Sequence, residues 1–232
     1  MFIANYPLKS FVQKLMMFRA LPRDYVTFHP YRGLQARALE ETMDFITAEM
    51  PKAVAFDTPK ELMEQALKLT PKTGIVAEFG VNEGGSIAFI AKTLGKRVID
   101  GFDSFEGLPE DWSGNQMSAG YFNRGGKLPK VPSNVRLHPG WFNVSLPKYV
   151  TANPGPVAFL HVDCDLYSST ATIFELLGAQ CGPGTVIVFD EYFNYPAWKT
   201  HEHKAFTEFI AKTGRTFDYI GYSFKQVAII LR

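Results

Sequence analysis

The chain has 232 residues, 46% of them hydrophobic and 20% charged, with a net charge of +1, a composition that fits one compact domain and is globular rather than disordered. So balanced a charge lacks the basic surplus of a nucleic-acid surface, and two cysteines, Cys164 and Cys181, are too few for a disulfide framework or a cysteine zinc site. No run approaches the roughly 18 apolar residues of a membrane span, and Lys9, Lys14 and Arg19 interrupt the early apolar runs before they reach signal-peptide length; a reduced, cytoplasmic protein with neither nucleic acid nor membrane as partner is expected.

In chain order, the first 50 or so residues read as helices. Phe11, Leu15 and Phe18 fall at i, i+4 and i+7 and make one apolar stripe. Such a helix packs on the main domain or on a second subunit, or it forms a lid over an active site. Residues 1–70 are therefore expected to be a helical cap, lid or dimerisation segment, and the chain a homo-oligomer. Thr58-Pro59-Lys60-Glu61 is a helix start, with Thr at the N-cap, Pro at N1 and Glu at N3. The helix runs to about Leu69 and ends before Pro71.

From residue 74 strands and helices alternate: IVAEF, a helix over 85–94, RVIDGFD, NVRLH, VAFLHVD, a helix over 168–179, TVIVFDE and a helix over 201–212. This order predicts an α/β fold with a mostly parallel, Rossmann-like sheet covered on both faces. The last strands, TFDYIGYS and QVAIILR, are separated by too few residues for a crossover, so they pair as a hairpin. The final strand is then antiparallel to the rest, an ending unusual for a dinucleotide-binding fold and similar to that of class I methyltransferases. Residues 107–134 are rich in Gly, Pro, Ser and Asn and lack helical period. A long loop leaving the carboxyl end of a parallel strand reads as an active-site flap or as a surface excursion.

The turn EFGVNEGGS, Glu78 to Ser86, joins the first strand of this domain to its helix and suits a cofactor. Its glycines, Gly80, Gly84 and Gly85, match neither the dinucleotide fingerprint nor the Walker loop. Glu78 at the strand mouth would repel a pyrophosphate by about 4 kcal/mol, for unit charges about 4 Å apart at an effective dielectric of about 20. It would attract the ammonium and sulfonium of S-adenosylmethionine. The helix start at Gly84 to Ser86 then takes the methionine carboxylate. Asp103, with Ser104 beside it, stands where an acid reaches ribose hydroxyls. Gly140 lets a flat ring approach, and Trp141 or Phe142 can lie along adenine.

The strand ends also gather acids. Asp163 ends one strand, with Asp165 two residues on, and Asp190 and Glu191 end the next. Neighbouring strands lie about 4.8 Å apart, so these like charges raise one another's pKa unless a cation joins them. Hard oxygen donors suit Mg²⁺. Asp165 is a general base or a helix cap, a role Ser168 or Ser169 could fill instead. His201 is a second candidate base or a solvated helix start. Cys164 reads as a small packing residue.

EFGVNEGGS, GFDSFEGLPEDW, GWFNVSLP, HVDCDLYSST and VFDEYFNYP, in this order over roughly residues 70–232, resemble the macrocin O-methyltransferase family. That family is similar in fold to catechol O-methyltransferase. The resemblance implies that residues 71–232 form an S-adenosylmethionine-dependent methyltransferase domain. It implies methyl transfer to a hydroxylated small molecule, a sugar, polyketide-linked sugar or phenol, often with a divalent metal. It also implies Asp163, Asp190 and Glu191 as metal ligands. The family's second pair is Asp-Asp or Asp-Asn, and here it is Asp-Glu; the extra methylene of Glu191 leaves direct ligation, ligation through water and a weakly held metal all open. Trp112, Tyr121, Phe122, Phe193, Tyr195 and Trp198 are acceptor-pocket or packing residues. The competing readings are a non-catalytic binding protein on the same scaffold and a nucleotide-dependent oxidoreductase.

Overall fold

The structure is a computed structural model and describes residues 29–232; the stripe of Phe11, Leu15 and Phe18 lies outside these residues. Helix α1 spans Pro30–Glu49, strand β1 Val54–Ala55 and helix α2 Pro59–Leu69. The start of α2 is the capping box its sequence announces. The Thr58 hydroxyl accepts the Glu61 N–H at 3.2 Å, and the Glu61 carboxylate accepts the Thr58 N–H at 3.1 Å.

Then follow β2 (Ile75–Phe79), α3 (Gly85–Leu94), β3 (Ile99–Asp103), β4 (Val135–Pro139), α4 (Phe142–Ala152), β5 (Val157–Val162) and α5 (Tyr167–Leu177). The chain closes with β6 (Val186–Phe189), α6 (Glu202–Thr213), β7 (Phe217–Tyr222) and β8 (Val227–Leu231). Among the described residues the strands form one sheet in the order β1-β7-β8-β6-β5-β2-β3-β4. Every ladder is parallel except those of β8, which runs against both β6 and β7. The expected architecture, a mostly parallel sheet with an antiparallel C-terminal strand, is the one observed.

The sheet separates two apolar layers. On one face Leu62, Met63 and Ala66 of α2 pack with Ile87 and Ile90 of α3. On the other, α4, α5 and α6 contribute Leu146, Ile173, Phe174 and Phe206. Central strands β5 and β6 are buried along their whole length, which is why VAFLHV and VIVF read as continuous apolar runs rather than alternating ones.

Two elements escape the sequence pattern. Helix α4 is masked by Pro147 in its interior, where proline removes a hydrogen-bond donor. Strand β1 is two residues long, and only its pairing with β7 makes it a strand. Helix α1 docks on the segment after β6. Phe45 meets Trp198 edge-on at 5.4 Å, and the Thr42 hydroxyl accepts the Asn194 N–H at 3.0 Å. At its start the Tyr31 hydroxyl reaches Asn115 in the long loop.

Candidate active site

The parallel strands deliver their carboxyl ends to one edge, and there a cavity of about 640 Å³ opens. Its wall includes Gly80 after β2, Asp103 and Ser104 after β3, Trp141 and Phe142 after β4, Asp163 and Asp165 after β5, and Asp190 and Glu191 after β6. Because β8 is antiparallel, its first residue Val227 lies beside Phe189, the last of β6. The β7–β8 turn, with Lys225, therefore arrives at the same edge.

The glycine turn works by close approach. Gly80 has φ +96°, and a Cβ there would collide with the carbonyl oxygen of Asp163; the turn and the end of β5 are thus packed backbone to backbone. Gly84 caps α3 in the left-handed region, at φ +83°, and lies against Pro129 and Val131 of the long loop. Asp103 accepts the Asn82 N–H at 2.7 Å on one oxygen and the Phe105 N–H at 2.6 Å on the other. A carboxylate has about four acceptor sites, so it retains capacity for ligand hydroxyls. Ser104 accepts the Glu106 N–H, and Gly140 donates its N–H to the Asp103 carbonyl.

Glu78 and Ser86 lie behind the turn and do not line the cavity. Glu78 is fully buried. One of its oxygens accepts the Ser86 hydroxyl at 3.0 Å, and the other meets His161 Nδ1 at 2.8 Å. In the β2–β5 ladder Glu78 and His161 are direct partners. Burial opposes a charge on His161, but the hydrogen bond and charge of Glu78, with Asp190 behind, hold its pKa above the ordinary value. The negative wall of the cavity is therefore built by Asp103 and the acids of β5 and β6.

Asp163, Asp165 and Glu191 bring carboxylate oxygens within 4.8 Å of one another. Asp190 also lines the cavity, but its Oδ1 accepts the Gln226 side-chain N–H at 3.1 Å. Burial, then the charge of Asp190 and its neighbours, raises the pKa of Asp163 and of Glu191 well above the carboxylate range. For Asp165 burial and Asp190 push the value up to about 7. The hard oxygen donors and their mutual repulsion fit a divalent cation such as Mg²⁺.

Beneath this cluster sits Glu202, a residue the sequence pattern does not mark. It is wholly buried at the start of α6. Its two oxygens accept the backbone N–H groups of Asp165 at 3.3 Å and Glu191 at 3.1 Å. Asp165 is in the left-handed region, at φ +66°, and it does not cap α5, whose N-cap is Leu166 without a side-chain bond. Ser168 instead donates to Glu110 at 2.6 Å.

The long loop walls the cavity with Leu108, Pro109, Trp112, Met117 and Phe122. It is pinned by its own short pairing of Trp112 with Met117 and by His201, whose Nε2 lies 2.9 Å from the Ser113 carbonyl and 3.0 Å from its hydroxyl. His201 is buried beside Trp112 and Tyr195, outside the cavity wall, and burial lowers its pKa. Phe193, Tyr195 and Trp198 are core residues.

A family model described as a methyltransferase domain matches residues 77–192, half of the chain, running from the middle of β2 to just past Glu191. The chain belongs to the methyltransferase domain family. Within it the protein stands in the class I S-adenosylmethionine-dependent group. A curated relative of this methyltransferase is the 8-demethyl-8-(2,3-dimethoxy-alpha-L-rhamnosyl)-tetracenomycin-C 4'-O-methyltransferase of Streptomyces olivaceus, 31% identical over 51% of this chain and 53% of that protein. The chain thus spans about half the length of that relative. Among solved structures, the calicheamicin methyltransferase CalS11 superposes at a TM-score of 0.59 and 20% identity over 99% of this chain and 95% of its own. The O-methyltransferase NovP superposes at 0.58 and 23% over 74% and 79%. Both show that the methyltransferase shares their fold.

Proposed function

We propose that this chain is an O-methyltransferase of the macrocin type, using S-adenosylmethionine and a divalent ion, Mg²⁺ by the hardness of its donors, to methylate a hydroxyl on the sugar of a small natural product. The observation that carries this reading is the meeting of Asp163, Asp165 and Glu191 within 4.8 Å on the wall that also holds Gly80 and Asp103. The Streptomyces olivaceus relative is a 4'-O-methyltransferase of a rhamnosyl tetracenomycin, which supports a sugar acceptor.

When bound, the donor supplies a methyl group on a sulfonium and the divalent ion supplies Lewis acidity. The chain's own residues divide the remaining work. Gly80 and the turn behind it shape the donor end of the cavity, and Asp103 would accept from ribose hydroxyls. Trp141 and Phe142 would flank a flat base. Asp163 and Glu191, with Asp190 beside them, would hold the ion. Asp165, whose carboxylate lies within 4.8 Å of those of Asp163 and Glu191 on the cavity wall, would accept the proton of the acceptor hydroxyl. Trp112, Met117 and Phe122 of the long loop exclude water from the acceptor side, and His201 fixes that loop. Helix α1, docked on the segment after β6, serves as a cap and as a surface for self-association.

The test is a pair of measurements. S-adenosylhomocysteine raises the melting temperature and NAD does not. Methylation of rhamnosylated acceptors stops with chelator and returns with Mg²⁺. Absence of the first response ends the reading, and turnover indifferent to chelator removes the ion from it.

A further inference from the structure

Among the described residues Lys225 is the one cationic side chain on a cavity wall that carries Asp103, Asp163, Asp165, Asp190 and Glu191. Its Nζ lies 3.5 Å from Glu191 Oε1, and its side chain is only 25% exposed. The rings of Trp112 and Tyr195 stand 5.9 and 5.5 Å from the same nitrogen. Those rings keep water from one side of the ammonium, so the pair is worth more than a pair on the open surface. The backbone holds the lysine there: the Lys225 carbonyl accepts the Tyr192 N–H at 3.1 Å, and the next residue, Gln226, donates to Asp190.

The side chain of Glu191 is long enough to serve two neighbours. It presents an oxygen to the group formed with Asp163 and Asp165, and it faces Lys225. An aspartate at this position would be one methylene shorter. Glu191 and Lys225 thus form a matched pair within the acidic edge, contributed by the ends of β6 and of the β7–β8 turn.

We infer that Lys225 is a built-in counter-cation that competes with the divalent ion for Glu191. It sets the ion's affinity low and keeps the acidic edge partly neutralised when the ion is away. A single positive charge on a primary amine does part of what the ion does for folding and charge balance, and repels the ion when both are present. The inference rests on the metal reading above, and the experiment separates the two.

The probe is Mn²⁺, followed by electron paramagnetic resonance of the free ion in titrations of the whole chain. Lys225→Met keeps the length and the apolar contact with Trp112 and Tyr195 but removes the charge; Lys225→Arg keeps the charge. Lys225→Met is expected to bind Mn²⁺ at least about tenfold more tightly than the natural chain, and Lys225→Arg to stay near it. Tight binding by Lys225→Met alone, with none measurable in the natural chain, supports the inference as well. Equal affinity in all three proteins overturns the role of Lys225 and leaves the metal reading intact. No Mn²⁺ binding by any of them, with folding verified by circular dichroism, overturns both.

Discussion

The carboxylate of Glu78 meets Nδ1 of His161 at 2.8 Å across the β2–β5 ladder, and neither side chain reaches water. Removing one partner leaves the other as an uncompensated buried group. His161→Leu is therefore expected to cost about 3–5 kcal/mol, measured by urea denaturation. The pH dependence has a definite sign. The folded pKa of His161 is raised, so its stabilisation is full below the unfolded value of about 6.5 and fades as pH rises through the folded value. The gap in stability between the natural chain and His161→Leu should narrow at alkaline pH; a gap that widens there contradicts a charged pair.

Glu202 ties the loop after β5 to the loop after β6 by accepting one N–H from each. It does not line the cavity, so its work is positioning. Glu202→Ala is expected to lower kcat by about 100-fold, the scale of a displacement near 1 Å among reacting groups, while S-adenosylhomocysteine affinity stays within about threefold. Hydrogen exchange at the Asp165 and Glu191 amides should accelerate. Unchanged exchange at those two amides would show that the bridge carries no strain or order.

Gly80→Ala adds a methyl group that collides with the Asp163 carbonyl, at a backbone angle of +96° that side chains disfavour. Strain and displacement together should destabilise the fold by at least about 2 kcal/mol. They should also abolish the thermal shift with S-adenosylhomocysteine. Gly85→Ala, where a Cβ meets nothing within 4 Å, is the control and should keep both.

His201→Leu cuts the tie to Ser113 while leaving the acids of β5 and β6 in place. We expect KM for the acceptor to rise by about tenfold and amide exchange across residues 107–126 to quicken, with donor-product binding unchanged. If KM for the acceptor does not move, the loop's anchorage does not shape the acceptor side.

The acidic edge predicts a stability that depends jointly on pH and Mg²⁺. Burial and the charge of Asp190 push the Asp165 carboxyl up from its ordinary 3.8 to about 7. The folded state thus binds more protons than the unfolded state between about pH 4 and pH 7, and stability falls across that window as pH rises. A cation among the carboxylates offsets the loss. Added Mg²⁺ should raise the melting temperature more at pH 8 than at pH 5; an equal shift at both values argues against ion binding at this edge.

The sequence by itself determined the layers and their order. Short apolar runs alternating with helical periods require a parallel sheet, and the two closing strands, too near for a crossover, require the antiparallel end. It also determined which strand ends carry Asp103, Asp163, Asp165, Asp190 and Glu191, because in parallel strands the carboxyl ends collect at one edge. Where the hydrophobic period is interrupted, as by Pro147 in α4, or too short to exist, as in β1, the pattern was silent.

Tertiary structure decided which polar groups meet. Glu78 turned toward His161 because the register of β2 against β5 makes them neighbours, and register depends on the packing of the whole sheet. Glu202 and Lys225 reached the acids from segments far along the chain, one at a helix start and one in a hairpin turn. Their spacing in sequence carries no period, and only the folded chain fixes their distances.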